Sequence, residues 1–219
     1  RKRTSPQEDD GILCITDLPD NAIAHAASYL SKPSRAIFAV VMTPRAKLDS
    51  KQSSSSSANA SDMNHILTSS PELWETLDFA DIEKSLAEKL NDDDISDILT
   101  TIGARTNIKC LKITGRVNIM GGGLSPSRGS IVLKQIDLSC AGQYETPYLN
   151  PAPSISQQEV VPILDSSVRA DRASLTHLQL PKKWCTREGR STQLTVLLDT
   201  YDNLVLSRRE GKCSKCLEL

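Results

Sequence analysis

Cys213 and Cys216 stand three positions apart, a spacing at which two thiolates can share a tetrahedral zinc ion. A complete site needs two more ligands. Only Leu217-Glu218-Leu219 follow, and Cys185 and His177 are distant candidates. The pair therefore reads either as half of a zinc module or as an incidental spacing, and no other cofactor is expected. A thioredoxin-type redox role needs a strand-then-helix context that this stretch lacks. Gly121-Gly122-Gly123 could offer backbone N–H groups to a phosphate. No Gly-Lys-Ser/Thr follows and no G-x-G-x-x-G fits, so a turn between elements is the better reading. Asp92-Asp93-Asp94 could hold a cation but lacks the spacing of a calcium loop, whereas its charge suits a helix N-terminus. His25, His65 and His177 are scattered, and no G-x-S-x-G elbow exists. Residue types that do chemistry are present without the constellations catalysis needs, and a non-enzyme is expected.

The 219 residues suffice for one or two domains. Aromatic residues are only 4%, which predicts a Leu/Ile/Val core diluted by unstructured segments. A formal net charge of -1 argues against a general nucleic-acid binder. No apolar run reaches membrane-spanning length and no signal peptide is visible, so no membrane partner is expected. The chain opens Arg1-Lys2-Arg3 without Met and is read as a piece of a longer protein. Three basic residues make too short a nuclear import signal, and a solvated tail is the plainer reading. Cys14, Cys110 and Cys140 fall within or beside apolar, strand-like runs, where cysteine acts as a small hydrophobe. A reducing compartment, cytoplasm or nucleus, follows.

The elements that must position these groups fall into four stretches. Residues 1–10 read as a disordered tail. Residues 11–79 read as a helical module. Its first helix starts near Pro19, with Ala22, Ile23, Ala26, Ala27 and Leu30 as one stripe. Lys32-Pro33-Ser34 breaks that helix, and a second carries Ala36, Ile37, Phe38, Val40 and Val41. Within the module, 45–70 is a serine-rich insertion with little to bury. Residues 80–206 read as helix–loop–strand units. Ile95, Ile98, Leu99 and Ile102 have helical spacing, and Gly103 stops the helix. Residues 207–219 read as a truncated tail holding the Cys pair.

A three-point apolar pattern recurs in the third stretch. It is Ile108-x-x-Leu111-x-Ile113, then Leu133-x-x-Ile136-x-Leu138, then Leu175-x-x-Leu178-x-Leu180. Leu111 to Ile136 is 25 residues, inside the range of leucine-rich repeats. Ile136 to Leu178 is 42, with a Pro-rich insertion in Tyr144–Ser156. Val161, Ile163, Leu164 and Val168 form a helix that Pro162 forces to start late. Leu194, Leu197, Leu198, Tyr201 and Val205 form an amphipathic helix that packs on the end of the array. The expected fold class is α/β, a short leucine-rich-repeat solenoid preceded by a small helical module.

Leu18-Pro19-Asp20 through Tyr29-Leu30, with the helix that follows, resembles an F-box. Leu73-Trp74-Glu75-Thr76-Leu77-Asp78 resembles the tryptophan segment closing that module, and Asn118–Leu124 is similar to the connector of cysteine-containing leucine-rich repeats. The chain thus resembles the F-box/leucine-rich-repeat family, substrate receptors of SCF ubiquitin ligases. The resemblance implies a docking patch of Leu18, Pro19, Ile23, Tyr29 and Leu30 for a Skp-family adaptor. The outward strand positions Lys109, Lys112, Lys134, Gln135, Asp137, Thr176, His177 and Gln179 would meet a protein substrate. Two alternatives stay open: a repeat scaffold with no ubiquitin role, and part of a zinc-binding interaction protein.

Overall fold

The computed structural model describes residues 18–42, 71–87, 89–113, 119–139 and 155–216. The tail 1–10, the serine-rich insertion 45–70, Cys14, Cys140, His65 and most of the Tyr144–Ser156 insertion lie outside the described residues.

Two helices come first, α1 (Asp20–Ser28) and α2 (Lys32–Met42). Pro19 lacks an N–H but keeps its carbonyl, which accepts from Ala22 N and Ile23 N to open α1. The expected stripe is only half closed. Ile23 and Ala27 are buried, while Ala22, Ala26 and Leu30 are exposed. A nine-residue helix resting on one partner seals a narrow seam, here against Ala39 and Met42 of α2. Lys32-Pro33-Ser34 is not a separator but the first turn of α2, where proline removes an N–H that has no intrahelical partner anyway. Arg35 reaches back across the joint and donates to Ala27 O at 2.9 Å and Ser28 O at 3.1 Å. It thereby satisfies the Ser28 carbonyl at the end of α1 and adds a second bond to Ala27 O, which already accepts from Leu30 N. Ala36, Ile37 and Val40 face away from α1 and join the main core, so α2 couples the pair to the rest of the molecule.

The main body is a four-stranded parallel sheet in sequence order: β1 (Thr76–Asp78), β2 (Cys110–Lys112), β3 (Gln135–Asp137) and β4 (His177–Gln179). Its register aligns Leu77, Leu111, Ile136 and Leu178 as one apolar ladder. Strand β1 falls in the segment expected to close the helical module. Trp74-x-x-Leu77-x-Phe79 has the same spacing as the three units that follow, and all three side chains are buried in the main core. The helical module and the sheet therefore meet inside 71–79, not after it. The core is α/β, mixed helix and parallel strand.

Between β1 and β2 lies α3 (Asp92–Thr101). Asn91 caps it by accepting from Asp93 N and Asp94 N, and Asp94 returns the bond to Asn91 N. Ile95, Ile98, Leu99 and Ile102 are buried as their spacing predicts. Gly103 adopts φ 63° at the helix end, a left-handed conformation that costs glycine nothing. Between β3 and β4 lies α4 (Gln157–Val168). It starts five residues ahead of Pro162 instead of after it. Ser156 caps it by accepting from Gln158 N, and Pro162 sits on the exposed side. Burial of Val160, Val161, Ile163 and Leu164 outweighs the roughly 3 kcal/mol that an interior proline costs.

The last helix, α5 (Thr192–Cys216), runs 25 residues, so the stretch expected to be a tail from 207 is helical as far as Cys216. Leu194 and Leu197 are buried, with Leu198, Tyr201 and Leu204 packed against the core. This helix packs on α4 and reaches the chain entering β4 through Tyr201 and Arg208. Along the sheet, Glu75 O, Lys109 O and Lys134 O each accept from backbone N–H groups of the next strand. Thr176 O, the equivalent carbonyl on the last strand, accepts instead from the Tyr201 hydroxyl at 2.7 Å. Arg208 donates to Leu175 O beside it at 2.9 Å. Edge strands left bare invite foreign pairing, and α5 takes up the first outward acceptor of this one.

Candidate functional surface

In each unit the first, fourth and sixth positions go inward, and the second, third and fifth form the opposite face of the sheet. Alternation along each strand puts the third and fifth positions opposite the fourth. The second lies just before the strand, where in the first three units its carbonyl accepts from the backbone of the next. Four units in register make a grid. Its first column is Glu75, Lys109, Lys134 and Thr176. Its second is Thr76, Cys110, Gln135 and His177, and its third is Asp78, Lys112, Asp137 and Gln179. All eight residues expected from the strand pattern lie on this one face. Glu75, Thr76, Asp78 and Cys110 were missed. The first three belong to the overlooked unit, whose spacing was the available signal. Cys110, read as a small hydrophobe in an apolar strand-like run, is in strand β2 at an outward position and is half-buried.

The half of the face on β1 and β2 is internally paired. Lys109 meets Glu75, and Lys112 lies 3.6 Å from Asp78. Both pairs are partly exposed, so each contributes about 0–1 kcal/mol in water. On β3 and β4, Asp137 accepts from Ser139 N at 2.9 Å and from the Ser139 hydroxyl at 2.6 Å. With its amide nitrogen turned toward Asp137, Gln179 donates to Oδ2 at 2.7 Å. Thr176 donates to Lys134 O at 3.1 Å and lies 2.9 Å from His177 Nδ1. Lys134, Thr176, His177 and Gln179 are exposed. The face is mixed in charge and open to solvent on β3 and β4.

Burial pushes the Cys110 thiol up from its ordinary value; Lys112 opposes that push, and the carboxylates of Asp78 and Asp137 add to it. A thiol held protonated is a poor nucleophile. Iodoacetamide at about pH 8 is therefore expected to label the exposed Cys185 several-fold faster than Cys110, as read by peptide mass mapping. Faster labelling of Cys110 would contradict its placement.

The expected adaptor patch divides. Leu18 is 42% exposed, Tyr29 77% and Leu30 38%, and Pro19 is exposed beside them. Ile23 is 1% exposed and belongs to the seam between α1 and α2, so it supports the patch from beneath. Tyr29 also stacks edge-on against His25, with ring centroids 5.1 Å apart.

The glycine loop binds a carboxylate of the chain itself. Asp92 Oδ1 accepts from Gly121 N at 2.9 Å and Gly123 N at 2.7 Å, and Oδ2 accepts from Met120 N at 2.7 Å. The N–H groups that would cradle a phosphate are thus committed, and Asp92 is an anchor in place of a cation ligand. A Cβ on Gly123 would lie 2.4 Å from Asp92 O, so only glycine permits this approach. Cys213 and Cys216 are placed on the last turns of α5. Among the described residues, no three His, Cys, Asp or Glu side chains gather as a metal site would require. Among them also, no helix is long and apolar enough to cross a membrane.

No protein-family model matches this sequence, no curated protein is significantly similar to it, and no solved structure matches it.

Proposed function

We propose that this chain is a non-catalytic bridging protein: a leucine-rich-repeat solenoid that presents its grid of outward residues to a protein substrate, joined to an F-box-like helix pair that docks a Skp-family adaptor. The observation that carries the reading is the ladder of Leu77, Leu111, Ile136 and Leu178. Four units of one spacing stack in sequence order on parallel strands. Each unit alone has one apolar face to bury, and stacking buries it against like neighbours. Such an array offers area and a rigid backbone, not reacting groups. The adaptor half of the proposal rests on exposed Leu18, Tyr29 and Leu30, apolar side chains that water disfavours and a partner would cover. In this role the chain would work in protein ubiquitination, with the transfer chemistry on its partners, in the cytoplasm or nucleus.

A scaffold with no ubiquitin role is the second reading, favoured by the removal of Ile23 from the patch. One experiment separates them. A recombinant Skp-family adaptor is captured with the 219-residue chain or its Leu18→Asp/Tyr29→Asp variant. Both positions are exposed, so the melting midpoint should hold while captured adaptor falls at least about tenfold, the scale expected when apolar anchors at an interface are replaced by charge. Absence of capture by the unaltered chain would reject the adaptor role and leave the scaffold.

A further inference from the structure

We propose that the edge of the sheet where the strands begin is a docking surface for an acidic segment of a partner protein, with Ile131 as its apolar anchor. This extends past the grid, sharing only Lys109, Lys134 and Thr176 with it, and does not depend on the adaptor reading. The turns entering β2, β3 and β4 are residues 103–109, 127–134 and 169–176. Together they carry six cations (Arg105, Lys109, Arg128, Lys134, Arg169, Arg172) against one carboxylate, Asp171, in a chain whose net charge is -1.

These turns are stacked, not merely similar in sequence. Ser130 donates its hydroxyl to Arg105 O at 2.8 Å. Gly129 N donates to Ser166 Oγ, near the end of α4, at 3.0 Å. A Cβ on Gly129 would lie 3.7 Å from Arg105 Nη2. Two of the six cations are neutralised in place, Lys109 by Glu75 and Arg169 by Asp165 at 2.8 Å. Arg105, Arg128 and Arg172 are exposed, and among the described residues no carboxylate lies within ion-pairing distance of them.

Two details set this edge apart from an ordinary solvated surface. Arg172 holds φ 63°, the one non-glycine left-handed residue among those described. Folding alone favours glycine or asparagine there, so the arginine carries a backbone cost. Ile131, on the same turn as Arg128, is 49% exposed, and a lone apolar side chain among arginines suits the centre of an interface. A guanidinium fork matches a carboxylate with two parallel bonds. Neighbouring strands lie about 4.8 Å apart, and alternate side chains of an extended segment recur about every 6.6 Å, a mismatch that long arginine side chains span. None of the three turns holds an aromatic residue. Single-stranded nucleic acid would therefore find no stacking platform, and one isoleucine is too little to anchor a bilayer.

The test is fluorescence anisotropy with the full chain and a labelled glutamate-rich peptide carrying a central leucine. Arg105→Glu/Arg128→Glu should weaken binding about tenfold or more, and added salt should weaken the unaltered complex. Arg172→Gly should lose affinity several-fold while its melting midpoint holds or rises, a split that a merely structural arginine would not produce. Lys183→Glu/Arg190→Glu makes the same charge change on the segment leaving β4 and should leave affinity within about twofold. Equal weakening in that control would overturn the proposal. So would failure of the peptide to bind, or tighter binding of a uridine oligomer or of phosphatidylserine vesicles titrated in parallel.

Discussion

Leu111→Ala is expected to destabilise the fold by about 3–4 kcal/mol, a large share of the 5–15 kcal/mol typical of a folded domain. Leu111 is fully buried at the middle of the apolar ladder, between Leu77 and Ile136. Removing its branched end deletes buried methyl groups and leaves a cavity. Backbone bonds to the strands on both sides hold the walls of that cavity apart, so collapse cannot offset the loss. Leu178, at the end of the same ladder, is half-buried and has a strand on one side only. Its alanine variant should lose only about 1–2 kcal/mol. Urea unfolding of the two variants measures the difference as a shift in midpoint at constant slope. Equal shifts would mean that the ladder is not the spine of the core.

The second large effect is expected at Asp92. Its carboxylate accepts three backbone N–H groups from Met120, Gly121 and Gly123, tying the turn between β2 and β3 to the first turn of α3. Hydrogen bonds to a charged acceptor contribute about 1.5–3 kcal/mol each and do not simply add, so Asp92→Ala should cost about 3 kcal/mol. Asp92→Asn keeps one acceptor oxygen but turns an amide donor toward another donor, and should fall between. Thermal midpoints ranked Asp, then Asn, then Ala are the expected result. An alanine variant as stable as the unaltered chain would show that the turn holds without its anchor.

The inner positions of three units were legible from spacing alone, because a strand buried on one face repeats its apolar residues at fixed offsets. Ile108, Leu111, Ile113, Leu133, Ile136 and Leu138 are all buried as read, while in the third unit Leu175 is buried and Leu178 and Leu180 are half-buried. The fourth unit, at Trp74, Leu77 and Phe79, obeys the same rule yet was hidden. Its aromatic ends differ from the aliphatic ones elsewhere, and a competing motif claimed the same residues. The third and fifth outward positions followed from the pleat once the inner positions were known. Its ion pairs did not, since Glu75–Lys109 and Asp78–Lys112 depend on which strands are neighbours. The early start of α4 was illegible because local proline chemistry argued against it and only tertiary burial argued for it. Asp92 illustrates the same limit. Its place at a helix start could be read, while its three donors, 28 to 31 residues away, could not.

The Tyr201 hydroxyl takes the position at Thr176 O that a further strand would fill, and this gives the array a direction. On the β4 side the first outward acceptor is already taken by that hydroxyl. Between the existing strands each unit meets another like itself, so a duplicated unit inserted there would find its bonds waiting. The sheet can thus lengthen from within, while a strand added beside β4 would compete with Tyr201 for its first bond. Polymerisation through that edge would first have to prise the tyrosine away.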